Sequence, residues 1–357
     1  MLNLDDLKVI KKYDGSNMLD LIESFPSQCR AASKIGFDFN LPDSFRKAYK
    51  NIVCTGLGGS AIGADIARSY VADEAKMPII VNRNYTLPNF VDEESLVIIS
   101  SYSGNTEETL SAYKDARSRK ARIIAITSGG ELERSARQDG FPVVIIPKGL
   151  PPRCALGYSF FPLLVLLSKI GLIKDQSNNI DNAIKTLEQL KEQKIGSAIP
   201  QSKNISKTIA GELYLKYPII YGGQDHIDSI VTRWRGQLAE NSKTLASSHI
   251  FPEMNHNEIV GWENPKKLLK DIVVIILRDA GDHRRTSIRM DITKKIIENE
   301  KVRVIEVEST NTDDPLARMF SLVYIGDFVS FYLAILNKRD PTPVERITYL
   351  KEELAKG

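Results

Sequence analysis

The segment Asn51-Ile-Val-Cys-Thr-Gly-Leu-Gly-Gly-Ser-Ala-Ile-Gly63 runs from a short apolar stretch through a glycine turn into a helical pattern. Asn51–Thr55 is rich in β-branched residues and is stopped by Gly56-Leu-Gly-Gly, which reads as a strand ending in a turn. Ser60 then opens the helical stretch Ala61-Ile-Gly-Ala-Asp-Ile-Ala-Arg68. Four similar apolar runs follow: Met77–Val81, Leu96–Ser100, Arg122–Thr127 and Pro142–Ile146. They are apolar throughout instead of alternating, as parallel strands buried on both faces are. Strands alternating with helices predict a doubly wound α/β layer.

Working outward, residues 1–37 read as helical and polar, with no evident chemistry. The stretch from Asp175 to Lys194 is also polar, but Ile180, Ile184, Leu187 and Leu190 fall at helical spacing, which predicts a connecting helix with one buried stripe. A second α/β set begins at Tyr217–Tyr221 and continues with a helix from about Asp228 to Asn241 and strands at Ile272–Leu277 and Val302–Val307. Long helices are expected near Leu316–Leu336 and Val344–Lys356. A length of 357 residues fits about two domains. The expected fold class is α/β, with two doubly wound, mainly parallel-sheet domains and flanking helices, divided into residues 1–172 and 173–357.

Composition narrows the function classes. Lys plus Arg number 48 and Asp plus Glu 45, so 48 − 45 leaves a formal charge of +3. That balance argues against a dedicated nucleic-acid binder, which carries a basic stripe. Apolar and charged shares of 42% and 26% are those of an ordinary globular protein. The apolar run nearest to a membrane span, Phe160–Leu167, contains a Pro and falls well short of the roughly 18 residues needed, so none is expected. Cys29, Cys54 and Cys154 are odd in number and far apart, which suits a reducing cytoplasm and gives no zinc cluster. His226, His249, His256 and His283 show no metal-ligand spacing, so no metal is expected.

In a doubly wound sheet, ligands bind beyond the carboxyl ends of the strands. Two segments fall there. Gly56-Leu-Gly-Gly-Ser60 lets backbone approach an anion at a helix N-terminus. Ser100-Ser-Tyr-Ser-Gly-Asn-Thr-Glu-Glu-Thr109 clusters hydroxyls at the entrance of the next helix, where Ser101, Ser103 and Thr106 could bind one phosphate. The glycine turn also matches a dinucleotide fingerprint, but the second strand ends in Val81-Asn-Arg-Asn84, without the acid that binds ribose. No Gly-Lys-Ser/Thr follows, so it is not a nucleotide P-loop. Helix capping remains the plain alternative for any one of these hydroxyls.

The pair of segments resembles the phosphosugar-binding SIS (sugar isomerase) domain, with a Gly-Gly-Ser turn followed by Ser101-Tyr-Ser-Gly-Asn-Thr-Glu-Glu-Thr109. The resemblance implies a phosphorylated sugar held by Gly59, Ser60, Ser101, Ser103 and Thr106. Three later motifs sharpen it: Pro151-Pro-Arg153, Gln237-Leu-Ala-Glu-Asn-Ser-Lys243 and Asn255-His-Asn-Glu258. With Asp340-Pro-Thr-Pro-Val-Glu345 they resemble the bifunctional phosphoglucose/phosphomannose isomerase family, across the chain from about Asn51 to Lys351.

That family resemblance implies an aldose–ketose isomerase acting on hexose 6-phosphates through a cis-enediol, with no metal or organic cofactor. Glu240 is the implied base at C2 and C1, His256 the ring-opening acid/base and Arg153 the cation facing the developing enediolate. Lys351 is an implied substrate-binding residue, and Thr342 or a position near Lys351 a candidate for tolerance of both C2 epimers. In related isomerases the His comes from the neighbouring subunit, which implies a homodimer with shared active sites. Read alone, Arg153 could be a surface charge, Glu240 a solvated helix end and His256 a structural histidine. A non-catalytic sugar-phosphate sensor and a single-specificity phosphoglucose isomerase are the alternatives, although residues 1–37 are too short and insufficiently basic for the DNA-binding region that such sensors carry. The isomerase part of glucosamine-6-phosphate synthase is a third, but no N-terminal nucleophilic Cys is present.

Overall fold

A computed structural model describes residues 2–224, 226–354 and 356. The first sheet contains β1 (Asn51–Thr55), β2 (Ile79–Asn82), β3 (Ser95–Ser101), β4 (Arg122–Thr127) and β5 (Val143–Ile145). The second contains β6 (Tyr217–Gly223), β7 (Ser247–Phe251), β8 (Ile272–Arg278) and β9 (Arg303–Glu308). The helices before and around the first sheet are α1 (Leu7–Tyr13), α2 (Met18–Glu23), α3 (Phe25–Asp38), α4 (Gly58–Tyr70), α5 (Glu107–Ser118), α6 (Gly130–Gln138) and α7 (Leu156–Ile170). Those that follow are α8 (Ser177–Leu190), α9 (Ile205–Leu213), α10 (Asp228–Glu240), α11 (Lys266–Leu269), α12 (Arg284–Asn299), α13 (Pro315–Leu336) and α14 (Glu345–Leu354).

Every strand pairing is parallel, and the sheet orders are β2-β1-β3-β4-β5 and β7-β6-β8-β9. The apolar strands account for this. Ile52, Cys54, Leu96, Ile98 and Ile124 face one side of the first sheet, while Val53, Val97, Ile99, Ile123 and Ala125 face the other. Both faces need a helical cover, and the helices that connect the parallel strands supply it. The inner faces of both sheets share one continuous apolar cluster with α3, α4, α7, α8, α9, α10 and α13. Smaller clusters lie under α5 and α6 on the first sheet and under α12 on the second.

The expected elements therefore form, with three differences. The strand β7 was not expected. Its Ser-Ser-His-Ile-Phe sequence is half-polar because it is an edge strand paired only to β6. Residues 1–37 are not merely polar. Phe25, Cys29 and Ala32 of α3 are buried, and the helix packs along α7. Finally, α13 is long and apolar enough to cross a membrane, which Phe160–Leu167 is not. All of its residues after Pro315 are buried among α8, α9 and α10, so its apolarity is that of a central core helix. Gly326 permits this depth: a Cβ there would lie 2.4 Å from Trp234 Nε1, whose N–H donates to Leu322 O.

Candidate active site

The order of the first sheet reverses at β1, so the crevice between the carboxyl ends of β1 and β3 is where the fold admits a ligand. Gly56–Ser60 and Ser101–Thr106 flank it and are cross-linked: Ser60 Oγ accepts from Tyr102 N–H at 3.1 Å. Ser101 Oγ lies 3.0 Å from Thr106 Oγ1 and accepts from Gly104 N–H, while Ser103 Oγ, on an exposed residue, accepts from Asn105 N–H. Thr106 is the N-cap of α5, but its hydroxyl makes no capping bond. Ser101 holds it instead, so the capping alternative fails there. The turn requires Gly104: its φ is +71°, and a Cβ would collide with Gly129 O at 1.7 Å.

A third turn closes on the first. Gly59 packs so tightly against Pro152 that a Cβ would stand 2.4 Å from its carbonyl oxygen and 3.3 Å from Arg153 N. Arg153 is 4% exposed and is therefore not a surface charge. Its Nε donates to Asn241 Oδ1 at 2.6 Å, and its Nη2 donates to Pro341 O and Thr342 O, both at 2.7 Å. With Nε and Nη2 committed, Nη1 faces Glu240 Oε2 at 3.5 Å. Glu240 is the last residue of α10, and its side chain is 35% exposed. The structure thus brings the cation and the carboxylate together at the Gly56–Ser60 turn, which Ser60 ties to the hydroxyl-rich loop.

Helix pairing explains why. Arg68 and Ser69, at the end of α4, bond to Asp228 at the start of α10, at 2.6 and 2.7 Å. At the other ends of the two helices Gly59 meets the Pro152–Arg153 turn and Arg153 meets Glu240, so they run antiparallel, with the Ser60 end of α4 towards the Glu240 end of α10. Four residues that the sequence reading left unassigned support Arg153. Arg233 Nη2 donates to Arg153 O and is held by both Asp327 oxygens, at 2.9 and 2.8 Å. Asn241 Nδ2 donates to Ser330 Oγ, which fixes the amide that receives Arg153. Gln28 of α3 brackets the following turn, donating to Cys154 O and accepting from Gly157 N–H. Asp327 is legible in retrospect as a lone acid within an apolar run; Gln28 carries no such mark.

His256 stands apart. It is exposed on a 3-10 turn and, among the described residues, makes no hydrogen bond or ion pair with Arg153, Glu240 or the hydroxyl loop. Its turn is nonetheless fixed: Asn255 Nδ2 donates to Thr293 Oγ1 at 2.8 Å, and Tyr221 OH donates to Glu258. Lys351 is likewise exposed on α14, a helix with no buried residue, and no described contact ties it to the crevice. Thr342 touches Arg153 through its carbonyl, while its buried Oγ1 has no hydrogen-bond partner. Among the described residues, no group of three His, Cys, Asp or Glu side chains could hold a metal ion.

Fold and site define the class: a double SIS-type phosphosugar protein. Residues 44–139 match the SIS domain family, and residues 202–354 match the bacterial phospho-glucose isomerase C-terminal SIS domain family. In shape the chain resembles the C-terminal domain of glucosamine-fructose-6-phosphate aminotransferase from Francisella tularensis, at a TM-score of 0.69 and 15% identity, over 91% of this chain and 98% of that one. Two relatives are closer in sequence. A bifunctional phosphoglucose/phosphomannose isomerase of Caldicellulosiruptor bescii is 50% identical over 89% of this chain and 97% of its own. One of Aquifex aeolicus is 40% identical over 86% and 91%. The chain belongs to the bifunctional phosphoglucose/phosphomannose isomerase family.

Proposed function

We propose that the crevice interconverts glucose 6-phosphate and mannose 6-phosphate with fructose 6-phosphate, by ring opening and proton transfer through a cis-enediol. The observation that carries this reading is the Arg153–Glu240 pair at 3.5 Å, joined through the Gly59–Pro152 approach and the Ser60–Tyr102 bond to the Ser101–Thr106 loop. The hydroxyls of Ser60, Ser101, Ser103 and Thr106, with the backbone at Gly59, anchor the phosphate, so the far end of the sugar is presented to Glu240. Glu240 takes the proton from C2 and returns it to C1, while Arg153 Nη1 faces the oxygen that gains charge. A near-buried guanidinium held by three fixed acceptors is already oriented before reaction, so it contributes without reorganising.

His256 opens the ring, donated by a partner subunit of a homodimer. Two features support this. His256 is exposed on a well-held turn, and α14 presents Ile347, Leu350 and Leu354 on one exposed face together with Lys351. Packing against a second copy would cover that face and bring Lys351 towards bound substrate. We assign residues 1–172 to the phosphate-holding unit and residues 173–357 to the unit carrying Glu240 and His256. Three free cysteines, two of them buried, support a reducing, cytoplasmic setting.

A coupled assay on each hexose 6-phosphate, with Glu240→Gln as control, tests the reaction. Conversion of glucose 6-phosphate alone would reduce it to a single-specificity isomerase, and no conversion of either aldose would support a sugar-phosphate sensor.

A further inference from the structure

One cation beside Arg153 has no part in the scheme above. Lys243 lies in the loop after α10, in the left-handed region with φ +56°, a conformation that non-glycine residues rarely adopt. The residue as a whole is exposed, but its ammonium donates to Glu240 O at 2.6 Å and to Pro341 O at 2.9 Å. Pro341 O is also one of the two carbonyls that accept from Arg153 Nη2. One carbonyl therefore holds both cations, and the ammonium closes the last turn of the helix whose final side chain is Glu240. A cation at a helix C-terminus satisfies free carbonyls and complements the helix dipole.

We propose that Lys243 is a positioning residue of this isomerase site: it fastens the C-terminal end of α10 to the Pro341 carbonyl and thereby sets the Glu240 carboxylate against Arg153. This inference rests on the assignment of Glu240 and Arg153 made above. The clasp joins the helix carrying the carboxylate to the segment leading into α14, and both of its anchors are main-chain atoms. A small displacement of Glu240 would cost rate more than affinity, because the phosphate is gripped elsewhere.

The charged groups facing the ammonium are Arg153 from the 152–154 turn, Glu240 from α10, Asp340 from the loop after α13, and Glu345 from α14. Burial, and then the Arg153 charge, push the Lys243 ammonium down to about 8, against the opposing pull of Asp340, Glu240 and Glu345. The clasp is thus cationic below pH 8 and loses its charge above it, so turnover falls on the alkaline side.

The test follows kcat and KM for fructose 6-phosphate from about pH 6 to 10 in wild type, Lys243→Gln, Lys243→Arg and Glu240→Gln, with melting temperatures alongside. Lys243→Gln is expected to lower kcat by about 10- to 100-fold with KM changed by less than about threefold, and to lack the alkaline fall near pH 8. Lys243→Arg is expected to recover most of kcat and to hold it to higher pH, since guanidinium stays protonated. The proposal is overturned if Lys243→Gln keeps kcat within about twofold of wild type, or if the alkaline fall persists unchanged in Lys243→Arg. Should Lys243→Gln melt far below wild type, the Lys243→Arg profile decides by the same criterion. An active Glu240→Gln would instead overturn the underlying assignment of the base, whatever the Lys243 profiles show.

Discussion

Arg153 Nη1 and Glu240 Oε2 stand 3.5 Å apart although they lie on different α/β units, and the guanidinium is almost wholly buried while the carboxylate is half-exposed. A buried cation facing an accessible carboxylate leaves the acid free to meet substrate. Replacing Glu240 with Gln keeps the shape and removes the proposed base. Turnover should fall by about a hundredfold or more. Hydrogen exchange at C2 in D2O should vanish, while a phosphosugar inhibitor still binds. Near-wild-type turnover would rule Glu240 out as the base.

If His256 acts across a subunit boundary, inactive variants can complement each other. Mixing Glu240→Gln with His256→Ala and allowing subunits to exchange should restore activity, because a mixed dimer then contains one intact site. Neither variant recovers on mixing with itself. No gain after exchange, verified by tagged subunits, would place both residues in one chain's site or remove His256 from the reaction.

Arg233 and Asp327 form a pair with side chains 4% and 9% exposed. Removing the acid strands the buried Arg233 charge, whose Nη2 also donates to Arg153 O, and leaves Gln237 Nε2 without its acceptor. Asp327→Ala should therefore lower the unfolding free energy by about 3–5 kcal/mol, measured by urea denaturation. A loss below about 1 kcal/mol would show that the network adds little to stability.

Gly104→Ala tests the hydroxyl loop. The methyl would meet Gly129 O at a left-handed φ, so the Ser101–Thr106 turn must open. KM for every hexose 6-phosphate should rise together, since all of them share the phosphate. A rise confined to one sugar would contradict phosphate anchoring there.

Burial lifts the thiols of Cys54 and Cys154 to about 12, and that of Cys29 well above its ordinary value. At pH 8 iodoacetamide should label the native protein slowly at all three, and the urea-unfolded chain rapidly. The same shift makes stability fall as pH rises above about 8.5, because unfolded thiols ionise while native ones keep their protons. Because Lys243 acts in the opposite direction over this range, the cysteine contribution is read by difference: a pH 8-to-10 change in melting temperature that is the same in wild type and in Cys54→Ala would contradict this sign.

The strands, the glycine turn and the hydroxyl loop were legible because each is a local pattern: β-branched runs, a stop at glycine, then helical spacing. β7 was missed because an edge strand carries no apolar run. The support given by Gln28 was missed because its bonds to Cys154 O and Gly157 N–H lie far away along the chain. Arg153 belongs to the Pro151-Pro-Arg153 motif, yet nothing near it in sequence marks Glu240 as its neighbour.

Local chemistry therefore settled the parallel α/β layers, the phosphate-type loop and the family likeness, since strand, turn and helix propensities act over a few residues. The arrangement of the candidate site residues belongs to the tertiary structure. Packing of α4 on α10, and of α10 on the buried α13, bring Ser60, Arg153, Glu240 and Asn241 together. Contacts between such distant residues arise only when both sheets bury their inner faces in a common core, and no periodicity along the chain encodes which side chains then meet.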